Sequence, residues 1–544
     1  MANASIKKFD YVIVGAGSAG CVLANRLTQE ANTVLLLEAG GRATGLFKDM
    51  PMAFPKYVLR RDLNWNFVSE PEPHCNGRRI DIPRGKGLGG SSMINGMVYA
   101  RGHRRDYDQW AEQGMAGWGY ADVLPYFRKS EKSWLGDGPY HGDSGELHVV
   151  VPETNMLYDE IRAATIAAGY PATQDYHGEE TEGFQRSEMT IVGGRRANNA
   201  RIFLKPAMGR GNLTVETRAL ASRIRIEAGR AVGVDYLQGG QAFTAMANRE
   251  VILAGGVYGS PQLLMLSGVG PADHLRTQGI KPLLDLPGVG KNLVEHPFLF
   301  IGWNLRHGAF RSELRVDRAT TWVMQWGLRG KGLFATNGAA GNLFIRTDPR
   351  LDRPDMQYTC MSGEISAREL WFPFFGKKPA HSLGVGISMI KQDSRGEVTL
   401  RSPDPQVAPR ILFNLFKERS DMERAIRGLK AIRDIYHREP LRDLITSEIV
   451  PGEAVASDAD LEKFIRATGA ITQHAVGTCK MGIDTDPHAV VDGSLRVRGL
   501  EGLRVIDASI MPDVPGGNTN APAIMIAEKG ADIIRGRSLP RATV

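Results

Sequence analysis

The chain opens on a short apolar run, Tyr11 to Val14, that stops at Gly15-Ala16-Gly17-Ser18-Ala19-Gly20. Four apolar residues bounded by glycine predict a buried strand. Helical spacing follows from about Cys21 to Thr28, and Val34 to Leu37 is a second buried run, closed by Glu38-Ala39-Gly40. The pattern predicts a strand–helix–strand unit at the beginning of the sequence. Lys7 and Lys8 ahead of an apolar stretch superficially resemble a secretion signal, but Asp10 and three glycines interrupt the stretch. No targeting segment is expected.

Farther along, residues 40–100 are rich in glycine and proline and read as connections, and a mixed region runs to about 190. Asn212 to Val215 opens an alternating, strand-like stretch that reaches about 240, and Val251 to Leu253 is another buried strand, running into Ala254-Gly255-Gly256. Between about 300 and 470 the texture becomes more aromatic, with long helical segments such as 419–437. The last 70 residues return to short strands and turns and close on a helix at 522–535. No internal repeat is visible. Two interleaved domains are expected, one of them a nucleotide-binding unit assembled from discontinuous segments.

Composition narrows the function classes. A chain of 544 residues with 42% apolar and 23% charged residues has ample material for a large core. No run approaches the ~18 apolar residues that a spanning helix needs. The net charge of +7 is spread thinly, without basic or aromatic clusters, so nucleic acid is not expected as a partner. Cys21, Cys75, Cys360 and Cys479 lie far apart and lack zinc-ligand spacing. Reduced thiols in a cytoplasmic protein are the simple reading, and no metal site is expected.

The glycine-rich turn carries the first chemistry. Gly15 permits a tight turn, Gly17 lets backbone approach a diphosphate, and Gly20 allows the helix to pack closely on the strand. Free N–H groups at the helix start favour the anion. Glu38, ending the next strand, is placed to accept hydrogen bonds from ribose hydroxyls. An ordinary glycine turn is the plain alternative, and the turn alone does not separate FAD from NAD.

A second motif does: Gly85-Lys86-Gly87-Leu88-Gly89-Gly90-Ser91-Ser92-Met93-Ile94-Asn95, continuing through Tyr99 and Gly102 to Asp108. With the N-terminal turn, it resembles the glucose–methanol–choline (GMC) family of FAD-dependent oxidoreductases. The segment Gly255 to Gly270 matches the family's second signature, with Val257 in place of the usual small residue. The resemblance continues to His474-Ala475-Val476-Gly477 and Asp507-Ala508-Ser509, and so covers the whole chain. It implies an α/β (mixed α+β) fold: a Rossmann-like FAD-binding domain over 1–155, 190–297 and 475–544, interleaved with a substrate-binding domain over 156–189 and 298–474 built on an antiparallel sheet.

The resemblance also implies the site. Gly89, Gly90 and Ser91 supply backbone donors with little bulk beside a phosphate or flavin ring. Ser18, Ala19 and Ala39 join Gly15, Gly17, Gly20 and Glu38 as cofactor contacts. Asn95, Gly96, Met97 and Val98 are expected near the flavin, Val215 on the adenine side, and Ala254, Asp507, Ala508 and Thr519 near the phosphates or flavin. Some members attach FAD covalently through a histidine immediately before the motif's asparagine; that position is Ile94, so a non-covalent flavin is expected. His474 takes the role of base for the alcohol's hydroxyl proton, while hydride passes to flavin N5. Imidazole suits this because its ordinary pKa lies near operating pH. Asn518 occupies the second catalytic position. Asn520, ahead of Ala521-Pro522, reads as an N-cap whose helix could aim its positive end at the flavin.

The expected activity is oxidation of a primary alcohol, apolar or aromatic rather than charged, to the aldehyde, with reoxidation by a quinone or carrier. An oxidase using dioxygen and a choline-type dehydrogenase are the alternatives; choline dehydrogenases of the family carry proline after the catalytic histidine, where this chain has Ala475. A lyase or decarboxylase on the same scaffold is the lesser rival. Trp371-Phe372-Pro373-Phe374-Phe375 could form a substrate lid or belong to the core, and Trp322 and Trp326, four residues apart, read as core. Peripheral contact with the inner membrane stays open, because an acceptor in the respiratory chain requires no more than that.

Overall fold

The computed structural model describes residues 7–152, 157–308, 314–361, 372 and 380–544. Of the aromatic segment at 371–375, Phe372 alone is described, and it is exposed; the other four positions lie outside the described residues.

The N-terminal unit forms as its pattern predicts, with longer elements. Strand Lys7–Val14 pairs in parallel with Val34–Glu38, and helix Ser18–Leu27 joins them. The helix starts three residues before Cys21, because Gly17 takes the N-cap position and the rest of the glycine-rich run is already the first turn. Buried apolar residues fill both strands from Tyr11 and from Val34, as expected where helices or loops cover both faces of a parallel sheet.

Seven strands make this first sheet, in the order Leu213–Thr217, Val34–Glu38, Lys7–Val14, Gln241–Leu253, Arg230–Gln238, Ala219–Glu227. Leu503–Val505 pairs in parallel beside Val251–Leu253. The alternating stretch expected from 212 to 240 is thus three strands, the latter two forming an antiparallel ribbon with the long strand that follows. A second seven-stranded sheet is antiparallel: Ile445–Val450, Pro297–Leu305, His381–Met389, Met356–Met361, Ala339–Ile345, Gly183–Arg186, with Ala470–Ile471 against Pro297–Phe298. Helix Arg419–Tyr436 lays one apolar face against this sheet. The fold is therefore mixed α/β, with one mainly parallel and one antiparallel sheet, as expected. Trp326 is buried and donates from Nε1 to Gly194 O at 2.8 Å, while Trp322 is partly buried on the same small cluster. All four cysteines are buried and unpaired.

Two helices bring distant parts of the chain together. The closing helix, Asn520–Ile534, packs along Ser18–Leu27. Arg26, buried, donates from Nε and Nη2 to Glu528 at 2.7–3.0 Å and from Nη1 and Nη2 to Glu146 at 2.7–2.8 Å. Lys129 Nζ adds a second cation 3.0 Å from Glu528. At the other end, Ser18 Oγ donates to Asn520 Oδ1 at 2.6 Å. These contacts fix the N-terminal ends of the two helices side by side.

Replacing Glu528 leaves the Arg26 guanidinium buried with one carboxylate partner fewer. Glu528→Gln is expected to lower the unfolding free energy by about 3 kcal/mol. Chemical denaturation of the full chain measures this, and an unchanged midpoint would show that the pair does not hold the two helices together.

Candidate active site

Both sheets contribute walls to one cavity of about 500 Å³. On its wall stand three helix starts: Ser18–Leu27, Gly256–Leu266 and Asn520–Ile534. None of their N-cap residues, Gly17, Gly255 and Thr519, makes a side-chain cap hydrogen bond. The first N–H groups of a helix need acceptors; Asp507 Oδ2 takes Gly256 N at 2.9 Å, and the two uncapped starts are open to an anion such as a diphosphate.

The glycines leave the space for it. A Cβ added at Gly17 meets no atom within 4 Å, so that backbone faces open volume. At Gly20 the added atom would sit 1.8 Å from Gly15 O, and at Gly90 it would sit 2.7 Å from Gly17 Cα. Gly20 therefore serves the packing of helix on turn and Gly90 the approach of two loops, while Gly17 serves the ligand. Gly89 has φ +102° and abuts Asn198, behind the wall.

Most residues singled out from the sequence line this cavity: Gly15, Gly17, Ser18, Ala19, Glu38, Ala39, Gly90, Ser91, Asn95, Gly96, Met97, Val98, Ala254, His474, Asp507, Ala508, Asn518 and Thr519. Gly20, Gly89 and Val215 do not. Val215 sits one strand beyond Glu38's strand, in register with Leu36, and Ala219 to Ala221 of the next strand take the wall instead. The Asn520 reading needs correction. Thr519 holds the N-cap position, and the Asn520 side chain accepts from Ser18 Oγ rather than from its own helix, because the neighbouring helix start is closer to hand.

Glu38 is buried, and burial raises its pKa against the pull of the backbone donors around it. Its Oε2 accepts from Ala16 N at 2.9 Å and Oε1 from Gly40 N at 2.8 Å. Each oxygen keeps a second acceptor direction. Arg196 is 1% exposed and clamps the wall at Asn95, donating from Nη1 to Asn95 O at 2.6 Å and Oδ1 at 2.7 Å.

Just ahead of the Asn520–Ile534 start the cavity wall carries a chain of hydrogen bonds. Asn518 Nδ2 donates to His474 Nε2 at 2.9 Å, and Gln357 Nε2 donates to Asn518 Oδ1 at 3.2 Å. With an amide donor on Nε2, His474 carries its proton on Nδ1, which lies 3.1 Å from Nδ1 of His296. His296 accepts there and carries its own proton on Nε2. The rings meet edge to face, with centroids 5.3 Å apart. Burial, then the neighbouring His296 and Arg84, push the His474 pKa well below the ordinary histidine value; burial, then Lys391, push His296 to about 3. Both imidazoles are neutral, and His474 Nε2 is an unprotonated nitrogen on the cavity wall.

Local backbone explains why His474 faces inward. Ala470–Ile471 pairs with Pro297–Phe298 and Val476 pairs with Val294, yet Gln473 between them has φ +72°. That left-handed residue, strained for a non-glycine side chain, turns His474 out of the ladder. His474 N donates to Glu295 Oε1 at 2.7 Å. Burial raises Glu295 to about 7, opposed by Arg84 and the surrounding backbone donors. The loop of Asn518 is held from below: Asp106 Oδ2 accepts from Gly516 N at 2.7 Å. Burial alone would raise the Asp106 pKa, but Lys391 and Arg353, both within 3.3 Å of Oδ1, hold it below the usual carboxylate value.

Glu295, His296, Gln357 and Arg84 escape a reading by motif. The one sequence signal for the first two is an acidic-basic pair, Glu295-His296-Pro297, at the mouth of an apolar strand.

The chain is similar to known proteins over nearly its whole length. Residues 9–298 match the N-terminal family model described as GMC oxidoreductase, and 392–527 match the C-terminal one. The chain is 44% identical over 535 residues to an oxygen-dependent choline dehydrogenase of Rhizobium etli, covering 97% of this chain and 96% of the relative. It is 43% identical over 547 residues to that of Stenotrophomonas maltophilia, covering 98% and 96%. Among solved structures, pyridoxine 4-oxidase from Mesorbium loti superposes with a TM-score of 0.86 at 29% identity, over 98% of this chain and 100% of that one. Formate oxidase from Aspergillus oryzae superposes with a TM-score of 0.89 at 27% identity, over 98% and 99%.

The neutral histidine pair makes stability depend on pH. Below 6.5 the unfolded chain protonates His296 while the fold keeps it neutral down to about 3, so the unfolded state binds more protons and stability falls as pH falls. Across that window the wild type is expected to lose about 1.4 kcal/mol per pH unit more than His296→Gln. Denaturant unfolding at a series of pH values tests this; parallel curves would mean that His296 is charged in the fold.

Proposed function

This chain belongs to the GMC oxidoreductases, and from that membership we propose that it is an FAD-dependent dehydrogenase that oxidises a neutral primary alcohol to the aldehyde, with His474 as the base. The observation that carries the reading is the Asn518–His474–His296 chain of hydrogen bonds, which presents an unprotonated Nε2 to the cavity.

Bound FAD supplies the two-electron acceptor that takes hydride from the alcohol carbon. The uncapped starts of Ser18–Leu27 and Asn520–Ile534 and the Gly17 backbone would hold its diphosphate, and the Glu38 carboxylate its ribose hydroxyls. Binding there is proposed to be non-covalent, since Ile94 offers no nucleophile on the wall. The alcohol's hydroxyl would replace Asn518 as the donor to His474 Nε2, and the Asn518 amide would donate to the alcohol oxygen instead. His474 then takes the proton at Nε2 as the carbon loses hydride. The cost of charging a buried imidazole is offset because His474 Nδ1–H keeps its acceptor in His296. Division into cofactor-binding segments (1–155, 190–297, 475–544) and substrate-facing segments (156–189, 298–474) is supported by the way the two sheets draw on separate stretches of chain.

A neutral substrate is favoured over choline by the lining. Among the described residues, Glu38 and Asp507 are the carboxylates on the cavity. Glu38 serves the glycine turn, and Asp507 accepts from Gly256 N, Ser260 Oγ and Ser509 N at 2.6–2.9 Å. The wall also carries Phe54, Trp65, Phe67, Tyr258, Phe298, Met361, Asn337 and Gln357. A quaternary ammonium is best met by a carboxylate beside aromatic rings; with both lining carboxylates engaged elsewhere, this aromatic and apolar wall suits an apolar or aromatic alcohol. The acceptor is proposed to be a quinone or carrier, with dioxygen as the alternative.

Anaerobic mixing of the FAD-loaded protein with aliphatic, aromatic and quaternary-ammonium alcohols tests the proposal. Neutral alcohols are expected to bleach the flavin and choline to leave it coloured; equal bleaching by choline would overturn the substrate class, and no bleaching by any alcohol would favour a lyase or decarboxylase. Slow return of colour in air is expected for a dehydrogenase. His474→Ala is expected to keep its FAD and to lose about 10²- to 10⁴-fold in kcat/KM. Unimpaired turnover would remove His474 from the role of base.

A further inference from the structure

The hydrogen bonds that run from Gln357 through His474 reach His296, and His296 has a second nitrogen to account for. Its Nδ1 accepts the His474 Nδ1–H at 3.1 Å, so its own proton sits on Nε2, on the other side of the ring. That Nε2 is buried and has no hydrogen-bond partner among the described residues. A buried N–H calls for an acceptor. The register of the second sheet says what lies nearby. Phe298 stands opposite Ser388, so His296, two residues before Phe298, and Lys391, three residues after Ser388, come to the same end of those two strands. The Lys391 charge acts on His296 and adds to burial in holding the ring neutral. Lys391 Nζ lies 3.3 Å from Asp106 Oδ1 and 4.0 Å from Asp513 Oδ2, and Arg395 Nη2 lies 3.2 Å from Asp513 Oδ1. The Lys391, Asp513 and Arg395 side chains are partly exposed, so this cluster opens to solvent.

A proton taken up by His474 has to go somewhere. Burial, His296 and Arg84 all oppose a positive charge on that ring. With alcohol and cofactor in the cavity, Nε2 faces the substrate, and the group hydrogen-bonded on the other side is His296. Imidazole can pass a proton through, because it takes one at one nitrogen and gives one up from the other. The amides of Asn518 and Gln357 donate and accept hydrogen bonds but do not exchange a proton in this way.

We propose that His296 relays the substrate's proton from His474 to solvent on the Lys391–Asp513 side of the molecule; the relay rests on the reading of His474 as the base in alcohol oxidation. The steps balance. The alcohol O–H bond breaks and its proton goes to His474 Nε2, while the electron pair of the C–H bond leaves with the hydride. His474 gives its Nδ1 proton to Nδ1 of His296. His296 gives its Nε2 proton to a water molecule, and one proton per alcohol oxidised reaches solvent. Both rings end neutral, each in its other tautomer. The Lys391 charge keeps His296 from retaining both protons, so the ring passes a proton on instead of storing it. As a quinone takes up the electron pair, His474 Nε2–H supplies one of its protons, and the two rings refill from water in the reverse order, which restores the starting tautomers.

Stopped-flow mixing of the FAD-loaded enzyme with benzyl alcohol or hexanol, without oxygen and in weak buffer containing a pH-indicator dye, tests the relay. In the wild type one proton per flavin bleached is expected in solution, in step with bleaching. Bleaching with no proton release, or with release slower than bleaching, would overturn the relay and leave His474 as the base. Absence of bleaching with every alcohol would instead remove the reading on which the relay rests. His296→Gln keeps an acceptor for the His474 Nδ1–H in its amide oxygen but cannot pass a proton on. Its proton release is expected to fall about 10²-fold behind bleaching, whereas loss of a merely structural contact would slow both alike. Flavin absorbance per chain checks that the variant is loaded. Release that stays in step with bleaching in His296→Gln would overturn the relay, as would a rate of bleaching and release lowered together; His296→Asn takes its place if the glutamine variant does not fold.

Discussion

Three helices begin on the wall of one cavity; at Gly256–Leu266 side chains take the first N–H groups, Ser260 Oγ that of Gly255 and Asp507 Oδ2 that of Gly256, while Ser18–Leu27 and Asn520–Ile534 start without a side-chain cap. Backbone donors at a helix start call for acceptors, which an anionic guest or water supplies at the two uncapped starts. Much of the surrounding structure follows from that demand. The three helix starts must converge, which requires the close approaches at Gly15, Gly20 and Gly90. They must also stay converged, which the Arg26–Glu528 pair and the Ser18–Asn520 hydrogen bond achieve from opposite ends of the same two helices.

The reactive part of the cavity is organised by a different economy. Desolvation keeps His474 and His296 neutral, and neutrality sets the direction of every hydrogen bond from Gln357 to His296. A charge at either ring would reverse a donor and break the chain. The nearby charges are accordingly kept one residue away: Glu295 meets the backbone of His474 rather than its ring, and Asp106 with Lys391 and Arg353 meets the loop of Asn518 rather than its amide.

The two parts differ in how far they could be read from the sequence. The diphosphate part is built from backbone, and backbone that must turn tightly or approach closely demands glycine, so Gly15, Gly17 and Gly20 announce it. His474 and Asn518 were legible through the resemblance of their surrounding motifs. His296, Glu295 and Gln357 were not, because their roles depend on strand register between segments some 180 and 160 residues apart, and register leaves no local mark. Nor could the φ +72° of Gln473 be seen, since that conformation is imposed by the ladders on either side. Asn520 shows the opposite failure. Its local context reads as a cap, and a partner 502 residues away claims the side chain instead.

That separation has a consequence for how the enzyme comes into being. The first strand, helix and glycine turn are made some 500 residues ahead of the helix Asn520–Ile534 that helps complete the cavity. At about 5–20 residues per second of synthesis, the nascent glycine turn waits on the order of half a minute or longer for its partner. The cofactor therefore cannot be captured by a growing chain at its finished site. Loading at the complete site waits on synthesis of the closing helix, and until then the N-terminal glycine turn lacks the Asn520 side chain that Ser18 Oγ meets in the finished fold.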